Sequence, residues 1–205
     1  MEKESVFLDA NILYSWNLTH LFMFFSDTGV GLIEPYWSDV VVVEAIRNIQ
    51  DKKGFDDSAR FAEMNKAYPS ANVTGYEKRD NIDGVDAKDQ PVAKAAIHNE
   101  CNFLVTNNLK HFKKAVELQK KPRALTADSM LTALVKKHPE VSVKATALAW
   151  WHKRNAGTFE EYLTFSAENL ELVNFEKAIR DFIAKSEKTA NKVKDDALVG
   201  ENKRY

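Results

Sequence analysis

Val6-Phe7-Leu8-Asp9-Ala10-Asn11-Ile12-Leu13 decides the reading of this chain. An apolar triplet too short for a helix stops on an acid, and Leu13, Leu18, Leu21 and Phe25 then recur at helical spacing. That is a buried strand running into a helix, with a carboxylate at the join. Asn11 is expected to cap the helix, which runs from Ile12 through Phe25. The same grammar returns further on. Residues 32–37 read as a second strand, placed at an edge or made irregular by Pro35. Ser38 then caps a helix that carries Glu44 and runs to about Gln50. Residues 57–67 form another helix, and residues 70–82 are polar and irregular with one possible strand near Val73. Asp89, with Pro91 in the first turn, opens a helix whose body is Val92, Ala93, Ala95, Ala96 and Ile97. Residues 103–106 are a buried strand followed by Asn108, residues 110–119 a helix, and residues 123–126 a last short strand. Strands alternating with helices predict an α/β fold, a parallel sheet with helices on both faces.

The rest of the chain narrows the class. A length of 205 residues supports one domain, or one with an appended subdomain. The single Cys101 excludes an internal disulfide and any multi-thiolate zinc or iron–sulfur site, which fits a reducing cytoplasm. It reads as a small buried hydrophobe. No signal peptide is expected behind Glu2, Lys3 and Glu4, and the cluster at residues 21–25 is too short to span a bilayer. A soluble protein with no membrane partner follows.

Asp9, Glu44, Asp89 and Asn108 each stand where a strand gives way to a helix or inside a helix opening. In a parallel sheet the carboxyl ends of the strands share one edge, where ligands bind. Acids gathered there repel one another unless a cation sits among them. The pattern therefore points to Mg²⁺ or Mn²⁺ held by carboxylates and acting on a phosphodiester. Taken one at a time, Asp9 and Asp89 could be helix caps and Glu44 a surface residue, although Val41, Val43 and Ile46 argue for a buried side.

Four blocks in order carry a family resemblance over residues 5–126: Val6 to Ser15, Trp37-Ser38 with Glu44, Asp86 to Ala96, and Leu104 to Phe112. Together they resemble the PIN-domain ribonucleases, and VapC-type toxins in particular. The resemblance implies a three-layer α/β/α domain over residues 1–127, with a helical extension over 128–205. It implies a Mg²⁺- or Mn²⁺-dependent endoribonuclease with metal ligands on Asp9, Glu44 and Asp89, joined by Asn108. Ser38 and Thr106 would support these by hydrogen bonds, and Asp86 is an outer candidate beside Asp89. Its implied partners are a structured RNA such as tRNA or rRNA and a small antitoxin protein. Two positions depart from the pattern. Asn108 stands where many relatives carry a fourth aspartate, and His111 where an acid is usual. His111 can bind phosphate or metal, or sit on a helix surface.

Net charge is −1, but the charges are unevenly placed. Asp80, Asp83, Asp86 and Asp89 crowd one segment, and the next carries Lys110, Lys113, Lys114, Lys120, Lys121 and Arg123 against Glu117. Lys110, Lys113, Lys114 and Lys121 are the expected phosphate contacts for RNA, against the plainer reading of a solvated helix face. From Asp128 onward the pattern is purely helical, over residues 128–137, 139–154, 158–167 and 172–187, with a polar tail from Lys188 expected to fray. The last of these helices carries Val173, Ile179, Phe182 and Ile183, a stripe that must bury itself against the same chain, a second subunit of a homodimer, or another protein. Trp150-Trp151 with His152, Lys153 and Arg154 reads as core aromatics at a polar helix end, with base stacking as the alternative.

Overall fold

The computed structural model describes residues 3–27, 31–112, 122–153 and 157–202. Among these residues four strands form one parallel sheet: β1 (Glu4–Leu8), β2 (Ile33–Tyr36), β3 (Phe103–Val105) and β4 (Arg123–Leu125), in the order β2-β1-β3-β4. Val6 stands opposite both Pro35 and Phe103. Val6, Phe7 and Leu8 are fully buried, as the uninterrupted apolar run of a central parallel strand requires. β2 lies at the edge, where the missing amide of Pro35 costs no ladder bond. Beyond it, Trp37 exchanges backbone bonds with Ala71 and Val73, so the strand expected near Val73 is a single bridge.

The chain divides into two compact units, one made of Glu2–Thr19 with Ile33–Thr126, the other of His20–Leu32 with Ala127–Tyr205. The expected long helix after β1 is broken into α1 (Ala10–Leu13), in the first unit, and α2 (Trp16–Asp27), whose residues 16–19 fall in the first unit and 20–27 in the second. Asp9, not Asn11, caps α1, and the Ser15 hydroxyl accepts the Leu18 amide at 3.3 Å to start α2. α3 (Asp39–Lys53) runs a turn past Gln50, with Lys52 and Lys53 complementing its dipole before Gly54 ends it in the left-handed region. α4 (Ser58–Ala67) is anchored by a buried Arg60–Asp57 pair at 2.6 Å, from which Arg60 also reaches the Leu13 carbonyl. A 3₁₀ turn (Tyr76–Lys78) and α5 (Gln90–His98) complete the unit before β3. The helix expected over residues 110–119 lies mostly outside the described residues, of which 109–112 are helical.

The second unit is helical: α6 (Ala127–Lys137), α7 (Pro139–His152), α8 (Phe159–Asn169), α9 (Val173–Lys185) and α10 (Glu187–Asn202). Thr158 and Glu161 close a capping box at the start of α8. The stripe on α9 is Phe175 and Ile179, both fully buried, with Phe182 and Ile183 at its margin; Val173 is 59% exposed. The polar tail is helical as far as Asn202. Ala190 and Ala197, two turns apart, are buried as α10 packs on α7. Trp150 donates its indole N–H to the Gly157 carbonyl at 3.0 Å, and Lys153 lies over the Phe165 ring, while Trp151 is exposed. Arg154 is outside the described residues. No helix among the described residues is long and apolar enough to cross a membrane.

Candidate active site

With the order β2-β1-β3-β4, the chain switches sides between β1 and β3, and the crevice at their carboxyl ends is the expected ligand position. Asp9 follows β1 there and Thr106 follows β3. The Thr106 hydroxyl donates to Asp9 Oδ2 at 2.6 Å, and the Asn11 amide donates to the same oxygen at 2.5 Å and to Thr106 Oγ1 at 3.1 Å. The Ala10 N–H reaches Asp9 Oδ1 at 2.7 Å. Asn11 Oδ1 accepts the Asn107 N–H, and Thr106 Oγ1 the Asn108 N–H, both at 3.0 Å. Asn11 is thus spent on holding two strand ends together. A carboxylate offers about four lone-pair positions, and these bonds occupy three. One on Oδ1 is left for a ligand.

Burial pushes the Asp9 carboxyl above its ordinary value of 3.8, and the charge of Asp89 adds to this; the bonds from Thr106, Ala10 and Asn11 pull the other way. Burial likewise lifts Glu44, helped by the charges of Asp9 and Asp89 and opposed by Arg47 and Lys88. The three acids therefore feel one another's charge. Glu44 sits half-buried on α3, flanked by a buried Val41 and an exposed Val43, so the apolar neighbours that argued for its burial are split between two faces.

Asp89 occupies the position before α5 but makes no capping bond among the described residues. Its Oδ2 lies 2.7 Å from His111 Nδ1, which also lies 2.8 Å from the Asn108 amide. One ring nitrogen cannot donate to the carboxylate and accept from an amide N–H at once. The charge-assisted contact is the stronger, so Nδ1–H donates to Asp89 and the Asn108 amide turns its oxygen toward the ring. His111 is half-buried and bonded, which removes the helix-surface reading. Ligand atoms of Asp86, Asp89 and His111 all lie within 4.8 Å of one another, with Asp86 exposed at the rim. Asp9 and Glu44 are not in this group, and Asp89 reaches them through the charge that it exerts on both.

Ser38 precedes α3 without a capping bond, and its hydroxyl is buried and unpaired among the described residues. Lys110 is exposed, whereas Lys113, Lys114 and Lys121 lie outside the described residues. The sequence reading passed over Arg47, one turn beyond Glu44, and Lys88, next to Asp89; both are exposed cations whose charge reaches Glu44. A basic residue three or four positions from a helical acid is the signal that would have found Arg47.

The donor set suits a hard divalent cation: carboxylate oxygens with lone pairs to spare, two of them on Asp9 and Glu44 lifted chiefly by burial and further by neighbouring acids, and at most one imidazole. A cation there would find Asp86, Asp89 and His111 together, with Asn108 beside His111. No curated protein and no solved structure matches the chain. The family model described as the PIN domain matches residues 5–110, more than half of the 205 residues, and takes in β1 from Ser5 onward, Glu44, the Asp86–Asp89 turn and Asn108. A parallel sheet carrying an acidic cluster at its carboxyl edge agrees with that match, and the chain belongs to the PIN domain family, whose members are generally nucleases.

Proposed function

We propose that the protein is a Mg²⁺- or Mn²⁺-dependent endoribonuclease in which Asp9, Glu44 and Asp89 hold the cation. The observation that carries this reading is the acidic group in which Asp86, Asp89 and His111 bring ligand atoms within 4.8 Å of one another, with Asp9 and Glu44 close enough to feel the charge of Asp89. Acids kept that way in a crevice are stabilised by a cation and destabilised by its removal. When bound, the cation lowers the pKa of a water and offsets charge on the phosphodiester oxygens. The chain's own part is to fix the acids: Thr106 and Asn11 lock one Asp9 oxygen, and His111 orients Asp89. Asn108 adds an amide oxygen, and the Ser38 hydroxyl has bonding capacity left for a ligand. Arg47, Lys88 and Lys110 stand ready for phosphates of the RNA strand.

Mn²⁺ or Mg²⁺ should raise the melting temperature of the full chain, and Asp9→Asn should remove that rise. An equal shift in both proteins would sink the metal assignment. Cleavage of RNA stimulated by the same ions and lost in Glu44→Gln then locates the chemistry.

The finer biological role we propose is a toxin that cuts tRNA or rRNA and is neutralised by a small antitoxin, on the strength of the four ordered sequence blocks. Induced expression in a bacterium should arrest growth for the wild type and not for Asp9→Asn, with new RNA 5′ ends at a few sites. Growth without arrest but with processed RNA ends would favour an RNA-processing enzyme that needs no antitoxin. The amide at Asn108 favours a second reading, a site of weakened catalysis, because it withholds one charge from the cation. Asn108→Asp should then raise cleavage and tighten metal binding; no gain would dismiss that reading.

A further inference from the structure

A cleft of about 290 Å³ opens in the first unit between α3, the Tyr76–Lys78 turn and α5. Its lining adjoins the acids in the chain. Ala87 lies between Asp86 and Asp89, Pro91 comes two residues after Asp89, and Val40 stands one helical turn before Glu44. Tyr76, only 4% exposed, belongs to the floor. The wall is preorganised. Gln90 accepts the Ile82 N–H at 2.8 Å and donates to the carbonyls of Ile82 and Val85 at 2.9 and 2.8 Å, so its amide is spent on holding the loop that ends at Asp86.

A second observation lies on α3 itself. Val40 and Val43 are 45% and 64% exposed, three residues apart, with Val43 immediately before Glu44. Val40 lines the cleft, and Val43 adds a second exposed β-branched side chain on the same stretch of α3. Asn81 and Lys94 stand at the rim with hydrogen-bond donors, and Glu77 with an acceptor.

Resting on the endoribonuclease reading, we propose that this cleft seats one unstacked base of the single-stranded RNA, next to the phosphodiester held at Asp9, Glu44 and Asp89. The base lies against Pro91, Ala87 and Val40, its edge meets Asn81 and Glu77, and Lys94 takes a phosphate oxygen. RNA cut at a chosen position is read through bases splayed from the stack into such pockets. The volume favours this occupant. It lies at the lower end of small-ligand pockets, roughly 300 Å³, whereas a partner helix, about 10 Å across, needs a long groove.

The test uses the full chain with Asp9→Asn, so that RNA is bound without being cut, and short RNA oligonucleotides carrying the fluorescent base 2-aminopurine at successive positions. One position should change its emission on binding. Ala87→Leu, which fills the cleft from an exposed position, and Asn81→Ala should each abolish that change and weaken binding about tenfold. In the cutting protein the same two substitutions should erase the base preference beside the cut while leaving the metal-induced melting shift intact. Emission independent of position, oligonucleotides that do not bind, or unchanged affinity and base preference in both variants would overturn the base site. So would Ala87→Leu releasing a co-purified polypeptide, which would make the cleft a protein groove. Failure of the nuclease reading looks different: no metal-dependent cut by the wild type at any base.

Discussion

Glu44 shows at the residue scale how a site opposes the fold that holds it. Its carboxyl is lifted above 4.5 by burial and by Asp9 and Asp89, so the folded chain prefers it protonated. That contribution is complete below pH 4.5 and is lost as pH climbs through the raised folded value, because the folded state then binds more protons than the unfolded one. Without metal at neutral pH, Glu44→Gln should therefore raise the melting temperature, by roughly 1–3 °C for a chain of this size, while losing the rise that Mn²⁺ gives. A lower melting temperature would show that Glu44 is already compensated within the protein. Asp9→Asn is a poorer probe of this effect, since an amide nitrogen would face the Asn11 and Thr106 donors. Removing Arg47 and Lys88 together should flatten the salt dependence of RNA binding by about 1.4 in log–log slope; an unchanged slope would place the backbone elsewhere. Asp9 was legible as a candidate at the end of β1, Asp89 at the opening of α5 and Glu44 within α3. The partners that tune them were not. Asn11 and Thr106 are 95 residues apart, and His111 and Asp89 22, so only the sheet brings them together.

Elements differ in how much of their reason is local. β1 announces itself by three apolar residues, and α5 by Pro91 in its first turn. The break after α1 does not, because Ile12 to Phe25 keeps helical spacing while Asp9 and Asn11 are drawn to Thr106. α10 was missed for the opposite reason: its buried stripe is mostly alanine, which a search for large apolar residues passes over, and the helix rests on propensity and packing against α7. α5 also depends on what precedes it. Gln90→Ala would strip one N–H and two carbonyls in the 82–85 loop of buried partners, at a cost of about 2–4 kcal/mol. Denaturant unfolding should show that loss, and metal titration should show weaker binding, since Asp86 and Asp89 follow that loop. A loss of stability with unchanged metal affinity would show that the loop does not position the acids.

On the scale of the whole molecule, residues 20–32 belong with the C-terminal helices, although they interrupt the unit that carries the acids. Leu21, Phe22 and Phe25 are fully buried, and Phe25 lies edge-on to Phe175 with ring centres 6.2 Å apart. A chain cut after residue 127 keeps these side chains and loses what covers them. It should therefore bind 8-anilinonaphthalene sulfonate and aggregate where the full chain does not; a soluble truncated protein with the same metal response would refute this. The same arrangement has a temporal side. On the ribosome Phe22 and Phe25 emerge some hundred residues before the helices that cover them. At roughly 5–20 residues per second that leaves them exposed for about 5–20 s. Any cell making this protein must shield a short aromatic segment during that interval, so slowing translation between residues 32 and 127 should lower the folded yield more than slowing it earlier.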